Sequence, residues 1–505
     1  MTDASELQPP GTAERGRSVQ DYLDERPVWA DGTAVSSTPM TAMQWRIWIL
    51  AAAGKFFEGL VVFMTGVATP LIASEFNMTA AEHGLVSAAT LFGILVGAVA
   101  LGGLADYFGR KLLFIGEMVI FVVFLVLLTA SPSLPWLVLS LFGLGLALGC
   151  DYPTAHMMIS ESTPSNLRGR LVLSAFGFQS LGVLAGTALG YEILNNIPDI
   201  GAWRWMYATA IIPAVLVTFG RFFVLESATW QLARGRVAEA ERTTASLLRR
   251  HPPYPRTVRL GPGIPHHTHG LSHLRRYLAL FNRSNRRATI FASVPWFLQD
   301  LGTYGIGIFT PTILASAIGH KPHAVRNVTD LIHNDVLAAK GAALIDVLLI
   351  IGFVAAVLLA DKVSRITLQG FGFIGCAAGL LLASFSTSFG GETHVLLIFA
   401  GFMLFNFMTN LGPNAQTYLL AGEVFPTGIR GLGAGFAAAF AKIGAVTTAF
   451  LFPVLLADIG TRALLYILVI TSLLGAVVTW VFRIETTRVS LDKIGTRDHT
   501  PHRAK

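Results

Sequence analysis

The chain contains 505 residues, of which 53% are hydrophobic and only 13% charged, and its mean hydropathy is +0.59. Soluble proteins carry roughly twice this charged fraction, because their surfaces must be solvated. The composition therefore excludes soluble multidomain, disordered and disulfide-stapled proteins, and it indicates one polytopic membrane protein. Cys150 and Cys376 lie in apolar stretches and are interpreted as small buried residues.

The chain order predicts two sets of membrane spans. Residues 1–43 are polar and lack the basic start and short apolar core of a signal peptide, so we expect a soluble N-terminal tail. Stretches long enough to cross about 30 Å of hydrocarbon then recur. They lie near 44–72, 83–104, 112–131, 134–160, 170–194 and 205–224, and near 288–316, 337–360, 367–386, 394–420, 431–456 and 461–483. The predicted domains are bundles of six helices at 44–224 and 288–483, a linker at 225–287 and a tail at 484–505.

The linker carries most of the basic charge. It contains twelve arginines against three glutamates, a net charge of +9, while the whole chain has a net charge of +7. The positive-inside rule places this linker in the cytoplasm, and the short basic loops at Arg110, Arg168, Lys362 and Arg430 fall on the same side. We therefore expect a multi-pass plasma-membrane protein with both termini in the cytoplasm. Because the charge lies in one loop, nucleic acid is excluded as a partner.

Two loop motifs are each present twice. The pattern D-x-x-[GS]-R begins at Asp106 and Asp361, and E-x-x-P-x-x-x-R-G begins at Glu161 and Glu423, with offsets of 255 and 262 residues. Two related six-helix halves are typical of transporters that rock around a site at the membrane midplane. We expect the motifs to latch helices in one state and release them in the other, although a basic loop that only fixes topology is the simpler alternative. The predicted gating residues are Asp106, Gly109, Arg110, Glu161, Arg168, Asp361, Arg365, Glu423 and Arg430.

Over roughly residues 44–483 the sequence resembles the major facilitator superfamily, and the D-x-x-G-R-K loop at Asp106 is the most specific signature. Glu226, Ser227 and Trp230 also resemble the E-S-x-x-W element of sugar-porter-like branches. The resemblance implies an all-α membrane protein with twelve transmembrane helices in two pseudo-symmetric halves, and short helices in the linker. It also implies a monomer that needs no cofactor and is driven by a proton gradient.

Ionisable residues inside the predicted spans are few. Those interpreted as candidates are Lys55, Glu58, Glu117, Asp151, Asp300 and Lys442. A charge at the bilayer centre costs at least about 2.5 kcal/mol, so each of these groups needs a partner or water. Lys55 and Glu58 are three residues apart and can neutralise each other, and Glu117 is near enough to Lys111 to reach the surface. The other three need partners from other helices.

Polar and aromatic residues accompany these charges. Trp296, Asp300 and Tyr304 are spaced by four, so one helical face presents an indole, a carboxyl group and a phenol. Further candidates for solute binding are Tyr152, Gln179, Asn414 and Lys442. Donors and an ammonium group suit an oxyanion, while desolvated carboxyl groups can take up protons. The pattern favours transport of a small anion together with protons.

More narrowly, the sequence resembles the phosphate:proton symporter branch, in which W-F-L-x-D-x-x-x-Y, G-D-Y-P, a glutamine, G-P-N and a lysine line the site. The resemblance implies that the seven candidates of the previous paragraph coordinate phosphate, and that Asp300 and Lys442 form a switchable pair. It implies that protons are handled by Glu58, Glu117, Asp151 and Asp300. Cys150 replaces a glycine of the branch, Val61 replaces a second acidic residue, and Lys55 adds a cation.

Other functions stay open. They are a symporter of an organic acid or another metabolite, a proton-driven exporter, and a non-transporting sensor that signals through its linker or tails. An enzyme is not expected, because the sequence has no phosphate-binding Gly-Lys-Ser loop, metal-ligand spacing or nucleophile motif. Five linker histidines are interpreted as solvated and not as a metal site, namely His251, His266, His267, His269 and His273.

Overall fold

The structure is a computed structural model that describes residues 17–28, 33, 39–101, 104–250, 257–261, 277–318, 328–359, 362–426 and 429–486. The N-terminal part contains α1 (Val19–Asp24), α2 (Ala42–Phe76), α3 (Ala80–Ala100), α4 (Leu104–Phe108), α5 (Arg110–Thr129), α6 (Leu134–Ser162), α7 (Ser165–Asn196), α8 (Ala202–Thr209) and α9 (Ile211–Phe222). The linker contains α10 (Ala228–Ala233) and α11 (Val237–Leu247). The C-terminal part contains α12 (Arg286–Ile318), α13 (Val328–Leu359), α14 (Arg365–Phe385), a 3-10 turn (Ser386–Ser388), α15 (Gly391–Leu411), α16 (Pro413–Glu423) and α17 (Arg430–Phe482).

Twelve spans are present among the described residues. Ten helical segments are long and apolar enough to cross a membrane. In this count α8 and α9 together form one segment, and so do α15 and α16. One of the ten, α17, is interrupted at Gly460 (φ 74°, ψ 168°) and contains two spans. The remaining span is α12, whose 33 residues include many polar side chains. The predicted all-α membrane protein is confirmed.

The two halves meet along corresponding helices. Within the halves, α2 packs on α7, α3 on α6, α12 on α17 and α14 on α15. Between the halves, α3 packs on α17, α7 on α13, and α2 on α12. The first helix of each half therefore faces the other half, and residues on these helices can form a site at the interface.

The interface is closed at the side of the membrane away from the linker, which we call the far side. An added Cβ at Gly66 of α2 would lie 2.1 Å from the carbonyl oxygen of Ile308 on α12. Likewise, a Cβ at Gly84 of α3 would lie 2.2 Å from the carbonyl oxygen of Phe450 on α17. The halves thus touch backbone to backbone there. The opposite side, where α10 and α11 lie, is called the linker side.

Part of the predicted N-terminal tail is docked on the linker side. Val19, Tyr22 and Leu23 of α1 are buried in one apolar cluster with residues of α11. Ser165 at the start of α7 donates its backbone N–H to Asp24, at 2.6 Å. Hydrogen bonds from the Ser18 backbone N–H and hydroxyl to Asp21 lower the pKa of that carboxyl group below its usual value. Residues 17–28 therefore hold the linker against the first half.

The close contact between α2 and α7 depends on glycine. A Cβ at Gly182 would lie 2.0 Å from the carbonyl oxygen of Phe56, and one at Gly59 would lie 2.1 Å from that of Gln179. Small residues let two membrane helices approach in this way. The contact also fixes the position of Gln179 relative to Lys55 and Glu58.

We expect Gly182→Ala to lower the stability of the protein by about 1–3 kcal/mol, because the added methyl group forces α2 and α7 apart. The measurement is the apparent thermal unfolding midpoint of purified protein in detergent. Gly116→Ala is the matched control, since a Cβ at Gly116 has no neighbour within 4 Å. Equal midpoints for the two variants would contradict the packing described above.

Candidate functional site

A cluster of charged and hydroxyl groups lies buried between the halves. Lys442 of α17 places its Nζ 2.6 Å from the hydroxyl of Tyr304, 3.3 Å from Oε1 of Glu58 and 3.7 Å from Oδ2 of Asp300. Glu58 is on α2, and the other two residues are on α12. These four residues together with Lys55 are called the central cluster. It joins the first half to the second.

Lys55 brings a second ammonium group to Glu58. Its Nζ lies 2.5 Å from Oε2 of Glu58, so the predicted pairing of these neighbours on one helix is present. The same nitrogen lies 3.9 Å from the ring centroid of Tyr152. Each oxygen of the Glu58 carboxylate therefore faces a lysine, one from each half. Glu58 is only 2% exposed, so its charge is compensated by these lysines and not by bulk water.

The amide candidates differ in position. Gln179 of α7 donates from Nε2 to the Tyr304 hydroxyl at 3.2 Å and so contacts the central cluster. Asn414 of α16 donates to Oδ1 of Asn410 at 2.6 Å and accepts from Gln299 at 3.2 Å. In the described part of the chain, no hydrogen bond links Asn414 to the central cluster. Through these two hydrogen bonds, the Asn414 side chain instead connects the junction between α15 and α16 to α12.

An aromatic cover lies between the central cluster and the linker side. Tyr418 of α16 stacks on Phe176 with ring centroids 4.5 Å apart. It meets the rings of Tyr152 and Trp296 edge to face, at 6.0 and 6.2 Å. Sequence reasoning missed Tyr418, although it follows Asn414 by four residues and therefore lies on the same helical face. These four rings come from both halves.

A second charged cluster lies inside the first half. Arg221 of α9 donates from Nη1 to Oε1 of Glu117 at 2.8 Å and from Nη2 to Oδ1 of Asp151 at 2.6 Å. Arg221 is fully buried, and it also donates to the carbonyl oxygen of Phe114 at 2.6 Å. We call Arg221, Glu117 and Asp151 the arginine triad. The alternative in which Glu117 reaches the surface is wrong, because the side chain is buried and paired with Arg221.

The sequence prediction does not include Arg221. This residue is nevertheless a charge within an apolar stretch, like the ionisable residues that the prediction includes. The expectation that Asp151 needs a partner from another helix is met by this arginine. The triad is next to the central cluster, since a Cβ at Gly54 would lie 1.8 Å from Oδ2 of Asp151. Gly54 directly precedes Lys55 in α2.

The predicted gating motifs are paired with each other on the linker side. Arg110 of the first motif lies 3.2 Å from Glu161 of the second. In the other half, Arg365 forms an ion pair with Glu423. Both halves therefore connect the two motifs through an arginine and a glutamate. Arg168 instead donates to Gln20 of α1, at 2.6 Å.

The start of α5 is held by the E-S-x-x-W element. Oε1 of Glu226 accepts from the backbone N–H groups of Arg110 and Lys111, at 3.0 and 3.1 Å. Gly109 precedes them with a φ of 103°, a value that glycine adopts without strain. A carboxylate at a helix N-terminus is stabilised by the free N–H groups and the helix dipole. The linker is thus fastened to the first motif.

Some predicted residues lie outside this description. They are Asp361, the side chains of Asp106 and Arg430, and His251, His266, His267, His269 and His273. In the part of the chain that the structure describes, no group of three or more His, Cys, Asp or Glu residues is placed to hold a metal ion.

Comparison with known proteins gives the family. A family model described as "Sugar (and other) transporter" matches residues 47–497. The inner membrane metabolite transport protein YgcS of Escherichia coli (strain K12) is 29% identical over 464 residues, covering 90% of this chain and 95% of that protein. The galactose-proton symporter of the same organism is 28% identical over 469 residues, covering 90% and 94%.

A protein of Schizosaccharomyces pombe, named provisionally as an inorganic phosphate transporter, is 26% identical over 496 residues and covers 85% of this chain and 84% of its own. The solved inward-open structure of the xylose transporter XylE from E. coli matches with a TM-score of 0.68 at 19% identity, covering 89% of this chain and 99% of that one. This likeness shows the shared fold. The family model spans most of the chain, so the chain belongs to the sugar (and other) transporter family and is a multi-pass membrane transporter, which agrees with the predicted resemblance to the major facilitator superfamily.

Proposed function

We propose that this protein carries a small anion together with protons by alternating access, and that phosphate is the leading candidate. The observation that supports this most is the position of Glu58 between Lys55 and Lys442. Two ammonium groups from opposite halves hold the two oxygens of one buried carboxylate. The two lysines form a site for an anion, and the carboxylate of Glu58 occupies it as an internal anion.

Proton binding and anion binding are linked at this site by charge balance. When Glu58 is protonated, its charge is lost, so that Lys55 loses its carboxylate partner and Lys442 keeps only Asp300. An unpaired buried charge is strongly destabilising, so an incoming anion replaces what Glu58 supplied. Asp300 acts on Lys442 in the same way, since its Oδ2 lies 3.7 Å from that ammonium group. The proton and the anion therefore favour each other's binding.

The donors around the central cluster suit a compact oxyanion. The Tyr304 hydroxyl contacts Lys442, the Gln179 amide contacts that hydroxyl, and the ring of Tyr152 covers Lys55, so that the fixed rings limit the size of the solute. The arginine triad supports proton coupling, because one guanidinium group is shared by two carboxyl groups. One of those two carboxyl groups is free to carry a proton.

The lysines also explain how binding couples to rocking. Lys55 and Glu58 belong to the first half and Lys442 to the second, so a bound anion connects both halves. Closed contacts cover the cluster on the far side at Gly66, and aromatic rings cover it on the linker side at Tyr418. Alternating access then opens one cover at a time.

A larger organic anion is the second candidate. Lys55 favours it, because this added cation gives the site two ammonium groups, enough for a second carboxylate. The provisional phosphate name of the S. pombe relative supports phosphate, whereas the E. coli relatives are named for metabolites and galactose. Competition for phosphate uptake by carboxylates and by galactose separates these solutes.

The first test is uptake of labelled phosphate into proteoliposomes under an inward proton gradient. We expect Lys442→Ala and Asp300→Asn each to reduce uptake at least about tenfold, because breaking a buried pair costs about 3–5 kcal/mol. Lys340→Ala is the matched control, since Lys340 is exposed on α13 and lies outside the cluster. Phosphate uptake equal to wild type in Lys442→Ala and Asp300→Asn would contradict the assignment of these residues to the binding site.

The second test separates coupling from binding. Glu58→Gln keeps the shape of the side chain but cannot be protonated or charged. We expect this variant to exchange labelled for unlabelled phosphate across the membrane, while an inward proton gradient no longer drives accumulation. Accumulation equal to wild type at every external pH would show that Glu58 carries no coupled proton.

A further inference from the structure

A third ionisable position lies apart from both the central cluster and the arginine triad. Asp346 of α13 is 3% exposed and contacts the two halves at once. Its Oδ2 is 3.0 Å from the hydroxyl of Thr187 on α7, in the first half. Its Oδ1 accepts from Nδ2 of Asn406 on α15, in the second half, at 3.2 Å. Thr187 follows Gln179 by eight residues, so Asp346 lies roughly 12 Å nearer the far side than the central cluster.

No counter-charge within the ranges that the structure describes is paired with Asp346. Helices α7, α12, α15 and α2 pack on α13. Of the ionisable groups on these helices, Lys55, Glu58, Asp300 and Tyr304 belong to the central cluster, and Glu75 is paired with Arg204 at 2.7 Å. The others lie towards the helix ends, and none of them is bonded to Asp346 in the described part of the chain: Arg46 on α2, Arg168, Arg170, Tyr191 and Glu192 on α7, Arg286 and Arg287 on α12, and Glu392 and His394 on α15. On α13 itself, His333 and Lys340 are exposed. Among the described residues Asp346 forms no ion pair, and its partners are a neutral hydroxyl and a neutral amide.

We propose that Asp346 is a further proton-binding site, which holds a proton while the seam between α7 and α13 is closed and releases it when the seam opens. An uncompensated carboxylate at membrane depth is costly, so the closed seam requires the neutral acid. Separation of the halves removes Thr187 and admits water, and the carboxyl group then ionises. The proton on Asp346 therefore stabilises the closed far side, and the coupling is reciprocal.

A second buried carboxyl group supplies an approach to this site. Asp335 lies eleven residues before Asp346, which is three helical turns and the same face of α13. It is 1% exposed, and within the described ranges neither carboxylate oxygen has a hydrogen-bond partner. The helix begins at Val328 on the far side. Asp335 thus lies between that surface and Asp346, about 16 Å along the helix from Asp346, so a proton would pass between them only through water admitted when the seam opens.

The first measurement needs no substrate. In infrared spectra of the purified protein, a protonated buried carboxyl group gives a carbonyl band that ionised groups lack. We expect Asp346→Asn to lose one such band, and Thr187→Val, which keeps the acid but removes one hydrogen bond, to shift it. Spectra of Asp346→Asn with every wild-type band intact would overturn the proposal. If Asp346→Asn does not fold, Thr187→Val decides, and an unshifted band there would overturn it equally.

The second measurement rests on the proposed function. In proteoliposomes, the number of protons that enter with each phosphate is obtained from paired pH and uptake measurements. We expect Asp346→Asn to lower this ratio by about one while phosphate exchange continues. A band that disappears with an unchanged ratio would make Asp346 a protonated structural residue and overturn its coupling role. Should wild-type protein move no phosphate, the proposed function fails, while the infrared result still decides whether Asp346 holds a proton.

Discussion

The bilayer's exclusion of uncompensated charge governs the interior of this protein. Among the described ionisable groups at membrane depth the most demanding case is Glu58, whose two oxygens are held by lysines from different halves. Because Lys442 comes from the second half, the halves cannot separate without changing the partner of a buried carboxylate. The need to compensate a buried charge inside the membrane therefore links the charge of Glu58 to the relative position of the two halves.

The two halves carry comparable ion pairs on the linker side, and different contacts join one half to the other. On the linker side, an arginine of the first motif pairs with a glutamate of the second in each half. Each of these pairs lies within one half, so it stabilises that six-helix bundle. The central cluster and the Thr187–Asp346 contact cross from one half to the other. In the proposed alternating access, rocking would break the contacts between the halves and would not separate the ion pairs within each half.

Much of this arrangement is readable from the sequence, and the limits have physical reasons. Apolar length predicts the spans, and a charge in an apolar stretch predicts most of the buried ionisable groups. Arg221 and Asp346 meet the same criterion but are absent from the predicted site. The four-residue spacing predicts the face of Trp296, Asp300 and Tyr304. The sequence does not predict which charged residues pair between helices. Glu58 and Lys442 are 384 residues apart, and no local pattern connects them or predicts the docking of α1.

The arginine triad and the central cluster would respond differently to rocking of the halves. The triad is built from α5, α6 and α9, all in the first half, whereas the central cluster joins the two halves, so rocking would change the central cluster and not the triad. Asp151 nevertheless touches α2 at Gly54, beside Lys55. In the proposed function, protonation of the triad would remove negative charge near that lysine, and the low-dielectric interior would strengthen the effect. The triad would then raise the affinity of the central cluster for an anion without contacting it, and proton occupancy in the first half would favour binding at the interface.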